Sequence, residues 1–177
     1  MAQFSDLASA TDEDLLSRIK RREYPAFVQL FDRYRTSILS FAARMTGDPE
    51  ESENLTHDAF LLAVNEANRY DHATEARPWL FRIVRNVVHE FVAKNRPEAR
   101  AQLENLASVG APPEPSTDAR STFTALNRLG PAFREVLYLR TFERMSYEQI
   151  GIVVGEKPHA VKSRMNHAVE QLRKELT

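Results

Sequence analysis

A proline- and glycine-rich segment, residues 109–117 (VGAPPEPST), limits what this chain can fold into. Proline has no backbone N–H, so three prolines within nine residues exclude both a regular helix and a central strand. The surrounding stretch, 97–121, is also poor in large apolar side chains. We therefore expect a flexible linker at 97–121 that joins two small domains, 1–96 and 122–177.

Both flanking parts have the apolar spacing of helices, and neither shows the alternation of a strand. Start signals predict four helices in the first domain, beginning at Thr11, Pro25, Asp48 and Pro78, and Gly47 ends the second. The fourth predicted helix has one wide apolar stripe, formed by Trp79, Leu80, Ile83, Val84, Val87, Val88, Phe91 and Val92. The predicted fold class is all-α.

The C-terminal part has the pattern of a helix-turn-helix. A short helix over Arg134–Phe142 is followed by Ser146 and Gln149, which predict a capping box. The capping box begins a second helix, and Gly155 separates it from a last helix that we expect to run from about Pro158 to Leu176. The predicted core between these two helices is formed by Ile150, Val154, Val161, Met165 and Leu172. The alternative is a pair of helices that only pack together.

Charge and composition exclude several classes of protein. The chain has 24 Lys and Arg against 25 Asp and Glu, so bulk charge does not make it a polyanion binder, although 69–100 and 122–177 are locally basic. The absence of cysteine excludes disulfides, thiol catalysis and cysteine-type zinc sites. No apolar run is long enough to span a bilayer, and the N-terminus lacks the basic region of a signal peptide. We expect a cytoplasmic protein.

Several motifs, in register along the chain, resemble those of extracytoplasmic-function (ECF) sigma factors, group 4 of the sigma-70 family. Residues Leu129–Met165, with REVL, MSYEQIG and AVKSRM, look like region 4 of that family. Ala26–Tyr34 and Gly47–Phe60 resemble regions 2.1 and 2.2, and Pro78–Asn86 (PWLFRIVRN) resembles regions 2.3 and 2.4. The resemblance covers nearly the whole chain and places the family's linker at 97–121.

The resemblance implies a dissociable subunit of bacterial RNA polymerase that is not itself an enzyme and needs no metal or cofactor. The first domain would bind core polymerase through Glu51, Glu53, Asn54, His57 and Asp58. It would also capture the melted minus-ten element with Arg69, Arg77, Trp79, Arg82, Arg85, Asn86, Lys94 and Arg96. The second would read the minus-thirty-five duplex with His159, Lys162, Ser163, Arg164, Asn166 and His167. Its expected partners are core polymerase, promoter DNA and an anti-sigma factor, without insertion into a membrane.

The sequence departs from the family pattern at both expected interfaces. Asn54 stands where a carboxylate is usual, which would weaken or gate polymerase binding. Phosphorylation of the neighbouring Thr56 would restore negative charge there. Ala160 replaces a usual threonine, and His167–Val169 replaces a usual Arg-Ala-Arg, which removes two phosphate partners. Gly151 replaces a usual alanine at a helix-propensity cost of up to about 1 kcal/mol.

Other classes of function fit the sequence less well. A stand-alone helix-turn-helix regulator would not need Trp79 beside a basic face. A decoy that binds only an anti-sigma factor fits the reduced basicity but not the retained Lys162–Arg164 segment. An enzyme or metal site has little support, because the pair Glu53 and His57 supplies only two ligands and no phosphate loop or nucleophile motif is present.

Overall fold

The computed structural model describes residues 7–95 and 128–175, and every regular element within these ranges is helical, which confirms the predicted all-α class there. The main helices are α1 (Asp12–Lys20), α2 (Tyr24–Thr46), α3 (Pro49–Glu66), α4 (Ala76–Asn95), α5 (Pro131–Thr141), α6 (Tyr147–Val154) and α7 (Pro158–Glu175). A single 3-10 turn, Ala67–Arg69, follows α3. Arg96, Leu176 and the predicted linker 97–121 lie outside the described residues.

The chain divides into two compact units, 1–89 and 90–177. The division falls inside α4, whereas the domain limits at 96 and 122 stay a prediction from the sequence. In the part of the chain that the structure describes, no helix combines the length and the apolar character that crossing a membrane requires.

Local capping interactions set most helix ends in the N-terminal unit. The Thr11 hydroxyl accepts a hydrogen bond from the backbone N–H of Asp14 (3.2 Å), and Asp48 Oδ1 accepts from the N–H groups of the first turn of α3 at 3.1 and 3.2 Å. Gly47 ends α2 with a φ of 69°, a left-handed conformation that glycine adopts without strain. These three predicted boundaries are confirmed.

Helix α4 begins at Ala76, two residues before the predicted start at Pro78. Its first N–H, that of Ala76, donates to Glu13 Oε1 at 3.0 Å, so a carboxylate on α1 caps a helix that lies 63 residues later. This hydrogen bond lowers the pKa of Glu13 below its ordinary value of 4.5.

The cap at Glu13 predicts a pH-dependent stability. Because the pKa of Glu13 is lower in the folded chain than in the unfolded chain, the ionised carboxylate stabilises the fold at pH values above 4.5. That contribution is lost as the pH falls through the lowered pKa. Thermal unfolding followed by Trp79 fluorescence should give a higher melting temperature for wild type than for Glu13→Gln at pH 7. This gap between the two melting temperatures should close in acid. A gap that persists unchanged to pH 3 would contradict this assignment.

The core of the N-terminal unit includes one aromatic residue that the apolar stripe did not predict. Leu80, Ile83, Val84 and Val88 are buried as expected, whereas Trp79 and Val87 are only half-buried. Beyond the unit boundary at His89, Val92 is also buried and Phe91 is half-buried. Phe81 is fully buried and makes edge-to-face contacts with Tyr34 (6.4 Å) and Phe41 (6.2 Å) of α2. Helix α4 is therefore covered over a wider arc than one amphipathic stripe.

A polar cluster fastens α1 to α2. Asp12 accepts hydrogen bonds from Arg33 Nη1 (2.5 Å) and from the Tyr34 hydroxyl, and Arg33 Nη2 also donates to the Ala10 carbonyl (3.0 Å). Burial and the neighbouring Asp12 raise the pKa of Tyr34, so the phenol stays protonated and remains a donor.

In the C-terminal unit, the predicted helix-turn-helix elements are present. The Gln149 N–H donates to Ser146 Oγ (3.1 Å) and the Ser146 N–H donates to Gln149 Oε1 (2.9 Å), so the predicted capping box of α6 is confirmed. Gly155 ends α6 with a φ of 75°. Helix α5 begins at Pro131, three residues before the predicted start. Of the predicted core residues, Ile150, Val154 and Val161 are buried and Met165 and Leu172 half-buried, while Val153 and Ala168 are buried in addition.

Candidate nucleic-acid and protein interfaces

An aromatic cluster lies where the segment before α4 meets the helix itself. The Tyr70 ring lies 5.1 Å from the Trp79 ring and 5.0 Å from the His72 ring, measured between centroids. Burial raises the pKa of Tyr70 to about 12, so its hydroxyl stays protonated, and it donates to the Thr74 carbonyl at 2.5 Å. Tyr70 itself is buried, whereas Trp79 stays partly exposed. The Trp79 ring, held from behind by Tyr70, therefore offers an ordered aromatic surface on which a base can stack.

Two exposed polar residues continue this surface along α4. Trp79, Arg82 and Asn86 are spaced i, i+3 and i+7, which places them on one face of the helix, and Arg82 and Asn86 are exposed. A guanidinium beside an aromatic ring neutralises a phosphate next to a stacked base, and an amide can pair with a base edge. We call Trp79, Arg82 and Asn86 the α4 stacking face, and the buried Tyr70 ring packs behind Trp79.

The other residues predicted for this site are placed differently. Arg69 is exposed at the end of the 3-10 turn, and Arg85 is half-buried. The Arg77 guanidinium lies over the Phe81 ring at 6.0 Å, against the core. Lys94 forms an exposed ion pair with Glu90 (2.7 Å) that lowers the pKa of Glu90. Arg96 lies outside the described residues.

The residues predicted to contact polymerase lie on α3. Glu53, Asn54, His57 and Asp58 are exposed and Glu51 is half-buried. The His57 ring stacks parallel to the Phe31 ring of α2 at 6.2 Å. Arg35 of α2 approaches Glu53 at 3.9 Å.

Three exposed apolar residues on the same two helices were missed by the sequence analysis. Tyr24 is 71% exposed, Leu61 is 60% exposed, and Val64 is exposed as well. Their shared helix face could have been predicted from the sequence, because Leu61 and Val64 follow His57 at i+4 and i+7. Ring contacts connect Tyr24 to Phe27 and Phe27 to Phe31, each at 6.1 Å. We call this surface the α2–α3 apolar strip, formed by Tyr24, Phe27, Phe31, His57, Leu61 and Val64.

The α3 residues Thr56, Glu53 and His57 were singled out for modification or metal binding. The Thr56 side chain is buried and its hydroxyl donates to the Ser52 carbonyl at 2.7 Å, which argues against phosphorylation of the folded chain. Among residues 7–95 and 128–175, no three acidic or histidine side chains lie close enough together to hold a metal ion.

Helix α7 presents most of the residues predicted to read duplex DNA. Its exposed positions include His159, Lys162, Ser163, Asn166 and His167. Arg164 is placed differently, because its side chain is only 12% exposed and forms an ion pair with Glu156 in the turn. The structure thus brings five of the six residues to the surface and holds the sixth against the turn.

Gly151 has a packing role that the helix-propensity argument did not include. A Cβ at this position would lie 2.6 Å from the backbone carbonyl oxygen of Glu156, nearer than atoms can pack. The absence of a side chain therefore lets the turn fold back tightly on α6.

We predict that Gly151→Ala destabilises the C-terminal unit by about 1–3 kcal/mol, because the clash outweighs the gain in helix propensity. Hydrogen exchange of peptides from residues 147–175 should become faster. Gly130→Ala is the matched control, since its Cβ would meet Phe133 at an ordinary 3.5 Å. Equal exchange in the two variants would contradict the packing role.

Two family profiles and several curated proteins match this chain. Residues 30–98 match the profile of Sigma-70 region 2, and residues 125–174 match that of Sigma-70, region 4. The chain is 31% identical over 162 residues to the RNA polymerase sigma factor CarQ of Myxococcus xanthus, covering 89% of this chain and 93% of that one. It is 23% identical over 176 residues to the ECF RNA polymerase sigma factor SigW of Bacillus subtilis, covering 91% and 94%.

A solved structure shows the same fold. It is the sigma factor RpoE in complex with the anti-sigma factor NepR from Bartonella quintana, with a TM-score of 0.67, 23% identity, and coverage of 85% of this chain and 96% of that one. Both family regions occur in the expected order, and the CarQ match extends over most of both chains. This chain therefore belongs to the sigma-70 family of RNA polymerase sigma factors, in its ECF group.

Proposed function

We propose that this ECF sigma factor binds core RNA polymerase through the α2–α3 apolar strip and captures the melted minus-ten strand on the α4 stacking face. The observation that carries the proposal is that one unit holds both surfaces. One is apolar and edged by Glu53 and Asp58, and the other is aromatic with an exposed guanidinium. An exposed apolar patch of this kind is typical of a protein interface, whereas ring and cation together suit single-stranded nucleic acid.

Core binding would rest on apolar contact more than on charge. The strip contains Tyr24 and Leu61, the two most exposed of its apolar side chains. Asn54 lies on the same helix as the strip and supplies no charge where the family usually has one. Loss of a rim charge mainly affects association rate and salt dependence, so Asn54 would slow polymerase binding rather than abolish it.

Duplex binding by α7 would be weak in isolation. Among the residues predicted to read the minus-thirty-five duplex, Lys162 supplies the exposed positive charge, because Arg164 is paired with Glu156. Each phosphate contact adds roughly one unit to the slope of the logarithm of the binding constant against the logarithm of the salt concentration. We therefore expect a shallow slope for minus-thirty-five DNA, with specificity that depends on Asn166 and Ser163 contacts to bases.

The remaining parts of the proposal concern setting and partners. We place the protein in the cytoplasm, with 97–121 linking domains at 1–96 and 122–177. The chain would catalyse no reaction itself and would serve the polymerase. An anti-sigma factor is a further proposed partner, supported by the likeness in fold to RpoE, which was solved with the anti-sigma factor NepR.

The test is reconstitution with bacterial core RNA polymerase. We expect purified protein to co-elute with core on a sizing column, and the holoenzyme to select and open promoters from a randomised duplex library. Co-elution without promoter opening would contradict promoter recognition and leave only the core-binding part of the proposal. Absence of co-elution for both wild type and Asn54→Asp would contradict the sigma role and favour the decoy or a stand-alone regulator.

A further inference from the structure

One face of α1 contacts the segment that precedes α4. Glu13, Ser17 and Lys20 are spaced i, i+4 and i+7 and therefore share that face. Glu13 Oε1 accepts from the Ala76 N–H at 3.0 Å, Ser17 Oγ lies 3.4 Å from His72 Nε2, and Lys20 Nζ donates to the Tyr70 carbonyl at 3.0 Å. The three contacts fall near the start, at the third residue and at the end of the segment 70–76.

Helix α1 is itself firmly held. Leu15, Leu16 and Ile19 are buried in the core of the unit, and Asp12 is hydrogen-bonded to two side chains of α2. A helix with a buried apolar face and a fixed N-terminus is a rigid support. A contact from α1 therefore restrains the position of the segment as well as its local shape.

Contacts within the segment shape it but do not fix it to the rest of the unit. Asp71 Oδ1 accepts from the Ala73 N–H at 3.0 Å, and the Thr74 N–H donates to the Asp71 carbonyl at 3.0 Å. The Lys20 ammonium adds a second contact at Tyr70, because it lies 5.6 Å from the centroid of that ring. Lys20 thus holds the ring that packs against Trp79.

We propose that Glu13 and Lys20 are positioning residues for the capture of single-stranded DNA. They hold the Tyr70 ring and the first turn of α4 in the arrangement that a stacked base needs, although neither belongs to the α4 stacking face. Preorganisation of this kind raises affinity by reducing the ordering cost of binding. The inference rests on the proposed function of that face.

The experiment compares variants of the full-length chain in holoenzyme with bacterial core polymerase. The probe is the fluorescein-labelled non-template strand of the promoter that wild-type holoenzyme selects from a randomised library. We expect Glu13→Ala and Lys20→Met each to bind this strand about 5- to 10-fold more weakly. Glu13→Gln keeps an acceptor oxygen and should remain within about 2-fold of wild type. Asp14→Ala, which removes an exposed carboxylate from the same turn of α1, should leave binding unchanged.

Two further readouts separate positioning from general loss of structure. Affinity for core polymerase, and for minus-thirty-five duplex DNA, should be the same in Glu13→Ala and wild type. Acrylamide quenching of Trp79, the single tryptophan of the chain, should increase in Glu13→Ala as Tyr70 moves away. An equal loss in core binding would assign Glu13 a merely structural role and overturn the inference.

The same experiment distinguishes a failure of the proposed function from a failure of the positioning role. If wild-type holoenzyme selects no promoter or does not bind the strand, the proposed function fails and this inference fails with it. If wild type binds and Glu13→Ala and Lys20→Met bind equally tightly, the proposed function stands and the positioning role is overturned.

Discussion

Replacing Phe81 by alanine should lower the free energy of unfolding of the N-terminal unit by about 3–5 kcal/mol. Phe81 is fully buried, and its removal would leave a cavity between α4 and α2 and delete the edge-to-face contacts with Tyr34 and Phe41. The loss is a large share of the roughly 5–15 kcal/mol that stabilises an ordinary domain. Urea unfolding monitored by Trp79 fluorescence measures it, because that tryptophan reports on this unit alone.

Tyr24→Ala is the control for Phe81→Ala. It removes an aromatic ring from the same unit, but that ring is mostly exposed, so the midpoint in urea should shift little. Phe81→Leu should lie between the two, since leucine fills part of the cavity. If Phe81→Ala were no less stable than Tyr24→Ala, the packing described for α4 would be incorrect.

Placing a charge on the α2–α3 apolar strip should disrupt the polymerase complex. Leu61→Glu should weaken binding to core polymerase by at least about 10-fold, which equals 1.4 kcal/mol, because a carboxylate would be desolvated at an apolar contact. Leu61 is exposed on α3, so the fold should be unaffected and Trp79-monitored unfolding should match wild type. Fluorescence anisotropy of labelled protein titrated with core polymerase gives the affinity.

Ser40→Glu is the matched control for the strip. Ser40 is exposed on α2 and lies nine positions after Phe31, which is half a turn away at about 100° per residue. The Ser40→Glu substitution introduces the same charge on the opposite face of α2 and should leave binding to core polymerase unchanged. Equal weakening by the two variants would mean that added negative charge, and not the strip, controls the interaction.

The helix boundaries followed from the sequence wherever capping is local. Asp48 reaches N–H groups two and three residues later, and Ser146 and Gln149 complete a capping box within one turn. Gly47 and Gly155 adopt the left-handed conformation that ends a helix. Interactions this short depend on the order of residues alone, so the all-α class and the helix-turn-helix could be predicted.

The candidate sites were predictable where helix periodicity decides exposure. Asn86 and Lys162 were predicted to contact nucleic acid, lie outside the apolar positions of their helices and are exposed. Periodicity failed for Arg164, because the ion pair with Glu156 depends on how the turn folds back, and the contact of Gly151 with the same turn has the same origin. The exposure of Leu61 was missed because an apolar residue is by default assigned to the core.

The sequence by itself determined the class of fold, most helix ends, and the two motifs that identify the family, because each depends on residues within about one or two helical turns. Only the tertiary structure decided the complete burial of Phe81, the exposure of the α2–α3 apolar strip and the capping of α4 by Glu13. The Glu13–Ala76 hydrogen bond joins residues 63 positions apart. Such contacts form only once helices pack, since packing determines which sides of each helix are covered and which distant groups meet.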